Sequence, residues 1–218
     1  MSWRRQAVYV GLALSLVSPI LAPQLLAFPY SGRVGAHRVY SEYPIKPELG
    51  LIIGKADALA GRSPIASPVE NQPIFLTNGG WRWKLLALSS QGGFALSRTL
   101  IETIVVNRSN ADQDSVFNGA SVARDRSLSG TLAHEMTHTA IRKHFGLLAD
   151  ARYPAWVREG YCDYVAGSGS LSDAEAEKLI AAKEYPPALA YWRGRKRVET
   201  ELRRNGGSAD ALFAGAGA

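Results

Sequence analysis

The hydrophobic period of the chain changes near Ser127, and this limits the folds open to it more than any other feature. From Phe28 to about Asn118, short apolar stretches are punctuated by Gly, Pro and Asn: HRVYSEYPI, GLIIG, PIFLTNGGWRWKLLAL, GGFALS and IETIVVNRSN. That spacing reads as strands and turns in a β-rich or mixed lobe. GLIIGKADALAG opens a helix equally well, because a short apolar run does not separate the two. Beyond Ser127, Leu128, Leu132, Met136, Thr139 and Ile141 recur at roughly helical spacing, and no proline intervenes before Tyr153. The pattern predicts a helix from about Leu128 to Phe145, stopped by Gly146. A second helix is expected after Pro154 through AWVREGYCDYVAG, ending near Gly167. A third, LSDAEAEKLIAAKE, begins with Ser172 or Asp173 as cap and carries acids in its first turn. A fourth, ALAYWRGRKRVETELRRN, follows Pro186 and Pro187. The expected class is α+β: one domain over 28–218, with a sheet-containing lobe at 28–126 and a helical lobe at 127–218.

Cys162 is the only cysteine, so no intrachain bridge can staple this fold and its core must carry it. At 218 residues with 46% hydrophobic content, the chain has enough apolar surface to do so. The basic excess, 25 Lys and Arg against 19 Asp and Glu, is modest. Without Arg4 and Arg5 the balance falls to +4, an ordinary soluble surface, and no nucleic-acid partner is expected. Those arginines form the basic head of MSWRRQAVYVGLALSLVSPILAPQLLAFPYSG. An apolar run from about Ala7 to Ala22 follows, with a small-residue cut site after Ala27. Residues 1–27 read as a secretory signal, or else as an uncleaved membrane anchor acting through residues 7–27; Pro19 and Pro23 and the short run favour the signal. Either way the rest of the chain is expected in an exported compartment, periplasmic or secreted.

TLAHEMTHTAI, residues 131–141, holds two of the four histidines. Side chains four apart share a helix face, so His134 and His138 can bind one metal ion, and Glu135, about 100° round the helix, can reach a water on it. Zinc bound by nitrogen lowers the pKa of such a water to roughly 7, and a nearby carboxylate can take its proton as it attacks a carbonyl. The bland alternative is a polar cluster on an ordinary helix. Two protein ligands leave zinc short of the usual three. His144 lies six residues after His138, as in the metzincin pattern HExxHxxGxxH, but the glycine that must break the helix is Ile141 here. A helix-end histidine favoured by the dipole is the better reading of His144. The other candidate is Glu159 in WVREG, with 20 residues between it and His138.

These two strings in this order resemble the gluzincin metallopeptidases, the thermolysin-like branch of the HExxH zincins. The resemblance covers roughly Leu128 to Gly167. It implies a zincin-like fold and one Zn2+ held by His134, His138 and Glu159. Glu135 would be general base, and Asp163 would accept a hydrogen bond from a ligand histidine, His134 first. It also implies a peptide or protein substrate lying against an edge strand of the first lobe. ETIVVN, residues 102–107, is the segment assigned to such a strand, although a plain core strand is the stronger reading of the same residues. Tyr191 resembles the tyrosine that donates to the oxyanion in related short enzymes; aromatic packing is its alternative.

The remaining features read as structural. RGRKR at 193–197 is a solvated face, with Glu199 and Arg203 as an i,i+4 pair, or else a site for an acidic substrate or peptide C-terminus. Cys162 is expected to pack under the metal site, His37 to be structural, and the NRS string at Asn107 is too common to weigh. Two rivals to a peptidase remain: an exported metal-binding protein without proteolytic activity, and a zinc-dependent hydrolase of a non-peptide amide.

Overall fold

Alternation along the central strands decides which layers form. The structure, a computed structural model, describes residues 18–67, 71–120 and 126–217 together with Trp3, Arg5, Gln6 and Tyr9. Most of the apolar run from Ala7 to Ala22, and with it the expected signal or anchor, lies outside the described residues. No helix among the described residues is long and apolar enough to cross a membrane.

The chain opens with an antiparallel pair, β1 (Tyr30–Val34) and β2 (His37–Ser41), and crosses through helix α1 (Glu48–Ala60) to β3 (Ile74–Leu76). Helix α2 (Trp81–Ala87) then leads to β4 (Ala95–Arg98) and β5 (Thr103–Val106). These strands form one mixed sheet in the order β1-β2-β3-β5-β4, with β2, β3 and β5 parallel and both edges antiparallel. Every residue of β3 and β5 is buried, as expected of strands covered on both faces. Ile74, Leu76, Ile104 and Val106 point to one face, where α1 packs with Leu49, Ile53 and Ala56. Phe75 and Val105 point to the other and meet Trp83 and Leu86 of α2. The core reading of residues 102–107 is therefore the one the structure bears out: β5 is interior, and among the described residues the sheet's edge on that side is β4.

A small antiparallel sheet of β6 (Arg108–Asn110), β7 (Ser115–Phe117) and β8 (Arg126–Ser127) feeds directly into helix α3 (Leu128–Phe145). The helical part continues with the single turn α4 (Ala149–Arg152), then α5 (Ala155–Ala166), α6 (Asp173–Ala181), α7 (Pro187–Arg204) and α8 (Ala209–Ala216). The protein is thus mixed α+β, an N-terminal sheet followed by a helical C-terminal part. Helix ends fall where the local chemistry put them. Ser127 Oγ accepts from Gly130 N–H at 3.1 Å, and Ser172 and Glu175 form a reciprocal capping box. α1 settles the ambiguous GLIIG stretch as helix. α2 was hidden inside a stretch read as strand-like, and α8 inside a small-residue tail whose Phe213 is fully buried.

Candidate metal centre

Helix α3 is buried on all sides from Leu128 to Arg142, so its polar residues cannot be an ordinary solvated face. Burying them without partners is costly, and most have partners. Thr137 Oγ1 donates to Ala133 O at 2.7 Å, and Gln72 Nε2 donates to Thr139 Oγ1 at 2.9 Å. Arg142 donates to Ser97 Oγ of β4 at 3.0 Å and faces Asp150 at 3.4 Å. His134 Nδ1 donates to Asp163 Oδ1 at 2.7 Å. Glu135 is different: it is 6% exposed, lines a cleft, and makes no hydrogen bond or ion pair among the described residues.

The return of the chain brings a third donor group. Gly146 ends α3 at φ 95° and ψ 159°, a conformation open to glycine and strained for other residues. The chain then turns through α4, and Pro154 precedes α5. Glu159 on α5 places Oε2 3.3 Å from His134 Nε2 and 3.4 Å from His138 Nε2. Tetrahedral zinc with bonds of about 2.0 to 2.1 Å sets neighbouring donor atoms about 3.3 to 3.4 Å apart. The donor chemistry and the spacing therefore fit that ion. Cys162 Sγ also lies with the two imidazoles inside a 4.8 Å spread, and the buried His134, His138 and Cys162 group can hold a metal ion. Burial, then the Glu159 and Glu135 charges, push the Cys162 thiol well above its ordinary pKa, and the residue belongs to the same apolar cluster as Val157, Tyr161 and Val165.

The electrostatics favour a cation between these groups. Burial alone would lower the His134 pKa, but the charge and hydrogen bond of Asp163, with help from Glu159, lift it to about 9. Burial would raise Glu159, and the two imidazoles outweigh it and hold the carboxyl far below the usual range. Asp163 is likewise held down by His134 and Arg126 against its burial. Since an ionised carboxylate only accepts, Nδ1 carries the proton towards Asp163 and the Nε2 position is where a proton and a metal ion compete.

Arg126, for which the sequence offers no signal, completes this set. Its Nη2 donates to the same Asp163 Oδ1 at 2.8 Å and its Nη1 to Ser170 Oγ at 3.1 Å. The 3.1 Å approach of Nη2 to His134 Nδ1 follows from two donors sharing one oxygen. Tyr191 sits on α7, where Gly160 of α5 and Gly194 of α7 let the two backbones nearly touch. It is 40% exposed and lines the cleft with Glu135 and Glu159. Burial and the Glu159 and Asp163 charges raise its pKa, so it is a phenol with a proton to donate.

The cleft, about 880 Å³, runs past the edge strand β4 and is also lined by Arg142, Asp150 and Arg158. The structure thus brings together His134, Glu135, His138, Glu159, Asp163 and Tyr191. It leaves His144 apart, bound through Nε2 to Asp210 Oδ1 at 2.7 Å. Asn107 is buried and donates to Gly93 O at 2.9 Å, so the NRS string offers no open acceptor. Glu199 pairs with Arg195 and Lys196, not with Arg203 as expected; Arg203 reaches Thr200 instead. No protein-family model matches the chain, and comparisons with curated proteins and with solved structures gave no match.

Proposed function

We propose that this chain is a zinc-dependent metallopeptidase of the gluzincin type, with a zincin-like fold and one Zn2+ held by His134, His138 and Glu159. The observation that carries the reading is the spacing of the Glu159 carboxylate oxygen from both Nε2 atoms, 3.3 and 3.4 Å, beside a buried Glu135 with no partner among the described residues. When bound, zinc supplies a Lewis acid that polarises the scissile carbonyl and acidifies water. Glu135 takes the proton of the attacking water and passes it to the leaving amine nitrogen, so peptide and water become a carboxylate and an amine. Tyr191 donates to the carbonyl oxygen as its negative charge grows. Asp163, kept ionised by His134 and Arg126 against its burial, holds His134 Nδ1–H and leaves Nε2 facing the site. Strand β4, the edge of the sheet among the described residues, offers that edge to an extended peptide backbone inside the cleft.

The test is metal content and cleavage together. The purified protein should carry about one zinc per chain, lost in Glu159→Ala and kept in His144→Ala and Cys162→Ser. Hydrolysis of a general peptide substrate should fall about 10² to 10⁴-fold in Glu135→Gln while zinc is retained. Zinc lost in Cys162→Ser but kept in Glu159→Ala would favour the alternative set, a closed site in a metal-binding protein without proteolytic activity. Zinc without peptide cleavage would move the assignment to such a binding role or to another amide.

A further inference from the structure

Two cavities share one wall. Pro186 and Pro187 line the cleft and also, on their other side, a second depression of about 430 Å³. Trp156 of α5 and Tyr185 give it an aromatic lining, and Arg193 and Arg197 of α7 supply two cations; among the described residues no carboxylate lines it. The Arg197 guanidinium carbon sits 3.6 Å from the Trp156 ring centroid, and that of Arg193 sits 5.6 Å from the Tyr185 ring. Their helix neighbours behave differently. Arg195 and Lys196 are committed to Asp173, at 3.2 and 2.7 Å, and to Glu199. Among the described residues Arg193 and Arg197 have no carboxylate partner. A guanidinium held over a ring and free of carboxylates can match an incoming carboxylate in paired hydrogen bonds.

We propose that this depression is an exosite for an acidic stretch of the protein substrate. An apolar side chain of that stretch seats against Trp156 and the Pro186–Pro187 wall, and flanking carboxylates meet Arg193 and Arg197. The role beside the cleft rests on the peptidase reading; the binding chemistry does not. The shared proline wall sets the site next to the reacting centre, so a segment leaving the cleft reaches it without a long linker.

The test uses full-length Glu135→Gln protein and a short dye-labelled peptide of alternating glutamate and alanine around one phenylalanine, followed by fluorescence anisotropy. The peptide should bind, weaken with added salt, and bind about tenfold more weakly once Arg193→Ala and Arg197→Ala are combined or once its glutamates are replaced by glutamine. Arg193→Glu, beside the exposed Tyr185, should give the same loss, with circular dichroism to check that the fold is intact. In protein with Glu135 restored, hydrolysis of a short neutral peptide should be unchanged by the arginine substitutions. Affinity indifferent to both arginines overturns the proposal. So does binding to phosphatidylglycerol vesicles that depends on both arginines while the peptide does not bind, which would make this a membrane-facing patch. Arginine-dependent peptide binding in a protein that hydrolyses no peptide would leave the acidic-segment site standing and remove the peptidase reading.

Discussion

Asp163 shows how much a single residue away from the reacting atoms can hold. Its Oδ1 accepts from both His134 and Arg126, so one carboxylate orients one imidazole and anchors one guanidinium. Asp163→Asn should lower zinc affinity about 10- to 100-fold, read by competition against a chelator, while His144→Ala leaves it unchanged. A buried histidine paired with a half-exposed carboxylate makes a different prediction. His37 donates from one ring nitrogen to Gln72 O or to Asp57 and touches both, at 3.0 and 2.9 Å. Burial lowers its pKa, but the Asp57 bond and charge and the Gln72 carbonyl outweigh it, so the net shift is upward from 6.5. A raised folded pKa gives stability that is complete below the unfolded value and lost as pH rises through the folded one. The melting gap between native protein and Asp57→Asn should therefore be widest below about pH 6.5 and shrink as the pH rises above it. At this scale the legible part was local: HEMTH and WVREGYCD each lie on one helix, where spacing alone sets the face. Arg142 shares the HEMTH helix, four residues after His138, but Arg126 comes from β8 and Asp150 from α4, and no one-dimensional spacing connects those two to the site.

The helices α5 and α7 meet at two glycines, and the site depends on that contact. A Cβ on Gly160 would lie 2.5 Å from the Gly194 carbonyl carbon, and one on Gly194 would lie 3.0 Å from Trp156 O. Alanine is favoured over glycine inside a helix by about 1 kcal/mol, yet an overlap with backbone cannot be relieved by a rotamer change. Gly160→Ala should thus destabilise by about 3 kcal/mol in a denaturant titration and also depress metal binding, since Glu159 is its neighbour. Helix limits read well from the sequence wherever a cap or a glycine marked them, as at Ser127, Gly146, Gly167 and Ser172. The order of strands did not. ETIVVN and GGFALS are both short runs bounded by turns, and only pairing through space makes one interior and the other an edge.

Across the whole molecule, the lobes are joined by packing of α1 and the sheet against α3, and the stretch before β1 adds to it. Leu26 is buried with Phe75, Trp83 and Leu86, and Arg82 donates to the carbonyls of Leu26 and Ala27, both at 3.0 Å. A chain starting at Phe28 should melt below one starting at Ser18, and Leu26→Ala in the longer chain should cost about 2 kcal/mol. Equal melting of the two would mean that this stretch contributes nothing to the folded body. The position of β4 at the edge of the sheet carries a different kind of consequence. A backbone paired along one strand turns its side chains alternately towards the protein and away from it. Such a groove can interrogate only every second letter of the chain it holds. A randomised peptide library offered to this cleft should return a preference with a period of two: informative positions separated by positions that carry almost no information.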